Sequence, residues 1–187
     1  MPVPEFTHSL IIKAPPAVVL EAFFDTKALA SWWQVSRALC MPRPLGCYAV
    51  EWEPTEWKDE LLGRLGGAFH ATVIDFKPGR EFFLANAYWL PPDGPPIGPM
   101  ALEATCSIQR DGTLLHVRQT GCDETSPRWV RYYEIISAGL SGALGELKRN
   151  LETEIERVRE ERLRQFSERA AERTKEKKTE KKPEKKK

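Results

Sequence analysis

At 187 residues the chain is one domain's length with at most an appendage, and a body of this size buries enough apolar surface to fold without disulfide staples. Apolar residues make up 41% and charged residues 29%, and six Trp with eight Phe are a heavy aromatic supply. The net charge of +1 is unevenly spread: residues 1–151 are mildly acidic and residues 152–187 basic, which excludes broad attraction of the body to nucleic acid or anionic lipid.

No apolar run approaches the roughly 20 residues of a membrane-spanning helix, and the opening MPVPEFTHSL lacks the basic start and apolar block of a secretion signal. Cys40, Cys47, Cys106 and Cys122 form no CxxC pair and only three His are present. No metal site is therefore expected, and the four read as buried thiols in a reducing cytoplasm.

Residues 6–13 alternate as a strand, with Phe6, His8, Leu10 and Ile12 on one face. Pro15 and Pro16 suit the first turn of a helix whose apolar stripe is Val18, Val19, Ala22 and Phe23. A second short helix, around Lys27 to Trp33, ends in the Trp32-Trp33 pair, and Pro42 to Gly46 is a turn. Strands then dominate. Cys47 to Glu53 carries Tyr48, Val50 and Trp52 on one face, and Gly66 to Phe76 leads through Lys77-Pro78-Gly79-Arg80 into a strand over 81–90. The Pro-rich stretch 91–99 is a stiff loop, either a lid or a plain connector. Residues 100–109 alternate with Met100, Leu102, Ala104, Cys106 and Ile108 inward, and Asp111-Gly112 marks a hairpin to a strand over 113–120.

Ser126-Pro127 opens a long helix, Ser126 as N-cap, with Trp129, Tyr133, Ile136, Leu140, Ala143, Leu147 and Leu151 along one face. Past Leu151 the stripe thins to Ile155, Val158, Leu163 and Phe166 while charges pair at helical spacing. The Lys-rich residues 170–187 cannot support a packed core and read as disordered. A meander of strands with one amphipathic helix must bury that helix against one sheet face. The fold class is α+β, with a cavity where the sheet curls around the helix.

Several local patterns carry a resemblance. They are Ile12-Lys13-Ala14-Pro15 with Val18-Val19 and Ala22-Phe23, and Leu29 with Trp32-Trp33. Arg43 to Tyr48 through Trp52, Gly67 to Val73, and Asp75 to Pro78 continue the set. Gly112-Thr113-Leu114, Thr120-Gly121, and Leu144 with Leu147-Lys148 and Leu151-Glu152 complete it. Together these resemble the SRPBCC (START-like, helix-grip) superfamily, within it the C-terminal-domain family of the activators of the ninety-kilodalton heat-shock-protein ATPase. The chain departs from that pattern at Leu45, where a Gly is usual, at Leu140 in place of a Trp, and at Gln119 in place of a His. The resemblance implies a helix-grip domain over 5–152, and composition and charge spacing add a charged helical extension over 153–169 and the tail over 170–187. Its members bind apolar ligands, cyclise polyketides, sequester toxins or assist chaperones, so fold alone leaves function open.

Trp33, Tyr48, Trp52, Phe69, Phe83 and Trp89 lie in the elements that would line a helix-grip cavity; core filling is the better reading for any one of them alone, a partly open pocket for the group. His8 and Tyr133 are candidate polar handles, His8 reading more simply as a core histidine hydrogen-bonded to backbone. His70 and His116 are expected to face solvent, and Glu51, Glu53, Glu56, Asp59 and Glu60 to form an exposed acidic edge. No catalytic set can be assigned and no nucleotide-binding fingerprint is present. The expected function is cytoplasmic, non-enzymatic binding of a small apolar or aromatic ligand, without cofactor. A co-chaperone-like interaction module with a chaperone partner is the alternative, and a cyclase- or hydrolase-like enzyme a further one. Nucleic acid would meet at most the tail, weakly and without specificity.

Overall fold

A computed structural model describes the backbone of residues 5–180 and the side chains of residues 5–169. The chain divides into two compact units, one through Leu151 and one from Glu152 onward. The first unit opens with β1 (Phe6–Ile12), α1 (Pro16–Glu21) and α2 (Thr26–Trp32). Next come β2 (Arg37–Cys40), β3 (Cys47–Trp52) and a small hairpin of β4 (Lys58–Asp59) and β5 (Gly63–Arg64). Long strands β6 (Gly67–Lys77), β7 (Glu81–Leu90), β8 (Ile97–Gln109) and β9 (Gly112–Thr120) follow, and then α3 (Pro127–Glu180).

Seven strands form one antiparallel sheet in the order β1-β9-β8-β7-β6-β3-β2, so β1 and β2 are its edges. Register shifts in the β6–β7 and β7–β8 pairings mark bulges, which bend strands and increase their twist. The sheet turns its apolar face, including Val50, Phe69, Leu84, Leu102, Leu115 and Val117, toward α3, which buries Tyr132, Tyr133, Leu140, Leu144 and Leu147. This is the α+β helix-grip arrangement.

Local chemistry explains the element ends. Pro16 occupies the first turn of α1, and Asp25 caps α2 by accepting the Ala28 N–H at 2.8 Å. Ser126 precedes α3 as expected and caps it with its main-chain carbonyl, which accepts from Trp129 and Val130 at 3.0 and 3.1 Å. Beneath α1 and α2, Phe23, Phe24, Trp32, Tyr48 and Phe82 form an edge-to-face ring cluster with centroids 5.1–5.4 Å apart. In the second unit Arg157 pairs with Glu154 at 2.6 Å and with Glu161 at 2.7 Å, the helical spacing anticipated there. The tail expected over 170–187 lies outside the described side chains.

Three expectations need correction. The loop 91–99 is shorter, because Ile97 already pairs with Trp89 in β8. Ile108 is not inward but 81% exposed, since β8 and β9 run past the core toward their hairpin turn. The four cysteines are free thiols as expected, but all are half-buried rather than buried.

Leu45 stands where the pattern that the sequence resembles usually has a Gly. It adopts φ 59°, a left-handed conformation that disfavours a side chain with a Cβ, while its N–H reaches the Val73 carbonyl at 2.8 Å. Its side chain is 84% exposed and contributes little packing in return. Leu45→Gly is expected to stabilise the fold by about 0.5–1 kcal/mol, the relief of left-handed strain exceeding glycine's greater unfolded-state entropy. A raised urea midpoint with an unchanged slope is the readout; a lowered midpoint would show that the Leu45 side chain contributes more than its exposure suggests.

Candidate functional site

A cavity of about 750 Å³ lies between the sheet and α3. The sheet contributes Trp52, Phe69, Trp89, Leu102 and Gln119, and α2 with the residues after it contributes Trp32, Trp33 and Gln34. From α3 come Tyr132, Ile135, Ile136, Leu140 and a run of small residues that includes Gly139 and Gly142. Leu62 and Leu65, from the β4–β5 hairpin and the turn after it, complete the wall.

The indole nitrogens fix this lining. Trp32 Nε1 donates to the Ala22 carbonyl at 2.9 Å, Trp52 Nε1 to the Trp33 carbonyl at 2.8 Å and Trp89 Nε1 to the Gly66 carbonyl at 2.8 Å. With their donors engaged on backbone, these rings present carbon to the cavity. Trp33 stacks on Trp32 at 5.0 Å and meets Trp52 edge-on at 5.0 Å, while Trp89 lies 5.4 Å from Tyr132. Gly66 and Gly67 let the chain pass this rim: a Cβ would lie 2.4 Å from the Glu53 carbonyl oxygen in the first case and 2.2 Å from that of Leu90 in the second.

The polar atoms inside are few. Gln119 is buried, and its Nε2 donates to Tyr132 Oη at 3.1 Å and to Met100 Sδ at 2.9 Å. Burial pushes the Tyr132 phenol up to about 12, so it stays neutral at physiological pH. Away from the cavity, burial likewise raises Cys40 to about 11 and Cys106 to about 12, leaving both thiols protonated and poorly nucleophilic. Among the described residues no cluster of His, Cys, Asp or Glu side chains is arranged to hold a metal ion, and no helix is long and apolar enough to cross a membrane.

Of the eight residues singled out in the sequence, Trp33, Trp52, Phe69 and Trp89 line the cavity. The other four lie elsewhere. Tyr48 is fully buried beneath α2, its ring 5.4 Å from Phe24 and its hydroxyl without a hydrogen-bond partner among the described residues. Phe83 points to the outer face, because Phe82 and Leu84 on either side of it take the inner positions. His8 is half-buried on edge strand β1, stacked 6.3 Å from Phe6, whereas the cavity sits over β3 and β6–β9. Tyr133 is buried against Trp129 at 6.4 Å, and its neighbour Tyr132, about 100° around the helix, takes the cavity position. His70 is exposed as expected, while His116 is half-buried and its Nδ1 lies 2.7 Å from Ser9 Oγ. The lining of Leu62, Leu65, Gln119 and Tyr132 was not anticipated. A spacing signal existed only for α3, in the helical repeat of Gly139, Gly142 and Gly145.

Asp59 also departs from expectation. It is buried, not part of an exposed acidic edge, and anchors the β4–β5 hairpin. Its Oδ2 accepts from Arg131 Nε on α3 at 2.8 Å, and its Oδ1 accepts the Leu61 and Leu62 N–H groups at 3.0 and 3.1 Å. On the far strand of the hairpin, Arg64 grips Asp93 through two parallel bonds of 3.0 and 3.1 Å, joining the hairpin to the Pro-rich loop. The hairpin is thus a flap beside the cavity, tied down at both strands.

No protein-family model matches the chain, and no curated protein matches it in sequence. Solved structures do match in shape. A Rhodobacter sphaeroides protein superposes with TM-score 0.63 at 14% identity, over 82% of this chain and 97% of its own. A Mesorhizobium loti protein gives 0.61 at 16%, over 80% and 98%. The solution structure of the Aha1 dimer from Colwellia psychrerythraea gives 0.58 at 13%, over 80% and 97%. The fold is the START-like helix grip that the sequence patterns resemble.

Desolvation would raise the Asp59 carboxyl, but the Arg131 guanidinium and the two backbone N–H groups outweigh it and hold the carboxyl below its ordinary value of 3.8. The folded state therefore takes up this proton at lower pH than the unfolded chain does. The stability it confers is complete above pH 3.8 and disappears as pH falls through the folded value. Asp59→Asn is expected to melt lower than wild type by a constant margin above that pH, with the margin shrinking in more acid solution. Melting curves across pH 2–7 test this, and a margin independent of pH would rule out an ionised Asp59 as the anchor.

Proposed function

We propose that this protein reversibly binds a small apolar or aromatic molecule in the cavity between sheet and α3. The observation that carries this reading is a cavity of about 750 Å³ walled by Trp32, Trp33, Trp52, Phe69 and Trp89, with three of the four indole N–H groups engaged on backbone carbonyls. Such a space offers broad apolar contact with few polar groups to orient a ligand, as small-molecule sites typically do.

A second reading is an interaction module of the co-chaperone kind. It is favoured by the likeness in fold to the Aha1 dimer and by exposed Leu39, Leu45 and Ile74 near edge strand β2. That surface does not involve the cavity, so the two readings separate cleanly. A chaperone ATPase assay at saturating protein supports the second reading if the rate changes and removes it if the rate does not.

Native mass spectrometry of protein purified without denaturation is the direct test of the first reading, which expects a mass excess that is lost on denaturation. Substitutions refine it. Trp33 is half-buried and its indole N–H makes no hydrogen bond among the described residues, so Trp33→Ala should weaken ligand binding at least tenfold with only a small loss of stability. Trp89 is buried and holds the Gly66 carbonyl, so Trp89→Ala should cost about 3 kcal/mol of stability as well. Gly142→Leu places a side chain where a Cβ meets no atom within 4 Å, and should abolish binding without lowering the melting temperature. Unchanged affinity in both Trp33→Ala and Gly142→Leu would exclude the cavity as the site.

A further inference from the structure

The polar lining of the cavity is one-sided. Among the described residues it includes two carboxylates, Glu53 and Glu146, and no Lys, Arg or His. Glu53 directly follows Trp52, whose indole is bonded to the Trp33 carbonyl at 2.8 Å. Glu146 shares a face of α3 with Gly139, Gly142 and Ala143, all lining residues. One turn further on, Asn150 Nδ2 donates to Ser31 Oγ at 2.8 Å, which brings this part of α3 alongside the Trp32-Trp33 end of α2.

The two carboxylates differ in their partners. Arg149 Nη2 engages Glu146 Oε1 at 2.6 Å, and Glu146 Oε2 has no hydrogen bond among the described residues. Glu53 has no ion-pair partner among them. Deeper in, donors are scarce as well. Three indole N–H groups are engaged on carbonyls, Thr55 donates to the Trp57 carbonyl at 2.8 Å, and Gln119 Nε2 is directed at Tyr132 and Met100. Trp33 Nε1, the Tyr132 hydroxyl hydrogen and the Gln34 amide at the rim are the donors left to a ligand.

We propose that the cavity selects organic cations: an aromatic or aliphatic amine whose apolar body lies against the indoles and whose ammonium group rests between the Trp33–Trp52 rings and the carboxylates of Glu53 and Glu146. Indole faces carry negative quadrupole potential and attract a cation directly. Carboxylates at the same mouth accept its N–H donors and steer its approach. A carboxylate ligand meets the reverse: like charge at the mouth, and too few donors to replace the water it must shed. This inference rests on the cavity-binding reading above and adds the charge of the ligand to it.

The test uses three probes with the same ring system, 1-naphthylmethylamine, 1-naphthalenemethanol and 1-naphthoate, titrated calorimetrically into the full chain at pH 7 and low salt. The amine should bind at least fivefold more tightly than the alcohol, and the alcohol more tightly than the carboxylate. An alcohol that binds as tightly as the amine, or a carboxylate that binds best, overturns the cation preference while leaving apolar binding in the cavity standing. Failure of all three probes to bind removes both. In the double variant Glu53→Gln/Glu146→Gln the amine-to-alcohol affinity ratio should fall at least threefold, with a wild-type melting curve as the control for folding. An undiminished ratio would show that these carboxylates do not read the charge.

Discussion

The site depends on one constraint: a large aromatic ring with a polar nitrogen cannot be taken out of water unless that nitrogen finds an acceptor. Trp32, Trp52 and Trp89 answer it with carbonyls from three separate segments, those of Ala22, Trp33 and Gly66. Each bond ties a strand or helix of the lining to a connecting segment, so the rim is set by the rings that line it. Ring edges are engaged and ring faces remain for the cavity. Gly66 and Gly67 follow from the same demand, since a Cβ at either would strike the backbone that must pass there.

Most of the fold was legible in the sequence because its strands alternate over a half-buried sheet and its last helix carries a regular apolar face. Legibility failed where one residue of rotation or one partner far along the chain decides the outcome. The run Phe82-Phe83-Leu84 has no polar residue to mark its phase, so nothing in it says that Phe83 faces out. Tyr132 and Tyr133 are both buried, but only the first meets the cavity, and a helical stripe as wide as this one accommodates either choice. Asp59 looks like one of several surface carboxylates until Arg131, far along the chain, is seen to reach it.

The flap shows how a short polar hairpin becomes part of an apolar site. β4 and β5 are two residues each, far too short to be stable alone. Asp59 with Arg131 and Arg64 with Asp93 supply the tertiary anchors, and Leu62 and Leu65 are thereby held against the cavity. The Arg64–Asp93 pair is solvent-accessible and its value as an isolated ion pair is small. Geometry is its main contribution, since a bidentate pair orients both chains it joins.

α3 carries the opposite compromise. Gly139, Gly142 and Gly145 each weaken a helix by about 1 kcal/mol relative to Ala, and such residues are ordinarily retained where a neighbouring backbone approaches too closely for a Cβ. Here a Cβ at any of the three meets nothing within 4 Å. Close packing therefore does not account for them. Gly139 and Gly142 are exposed and line the cavity, so the helix gives up intrinsic stability at positions on its open side. Bulky rings on the sheet side and absent side chains on the helix side together leave this volume open.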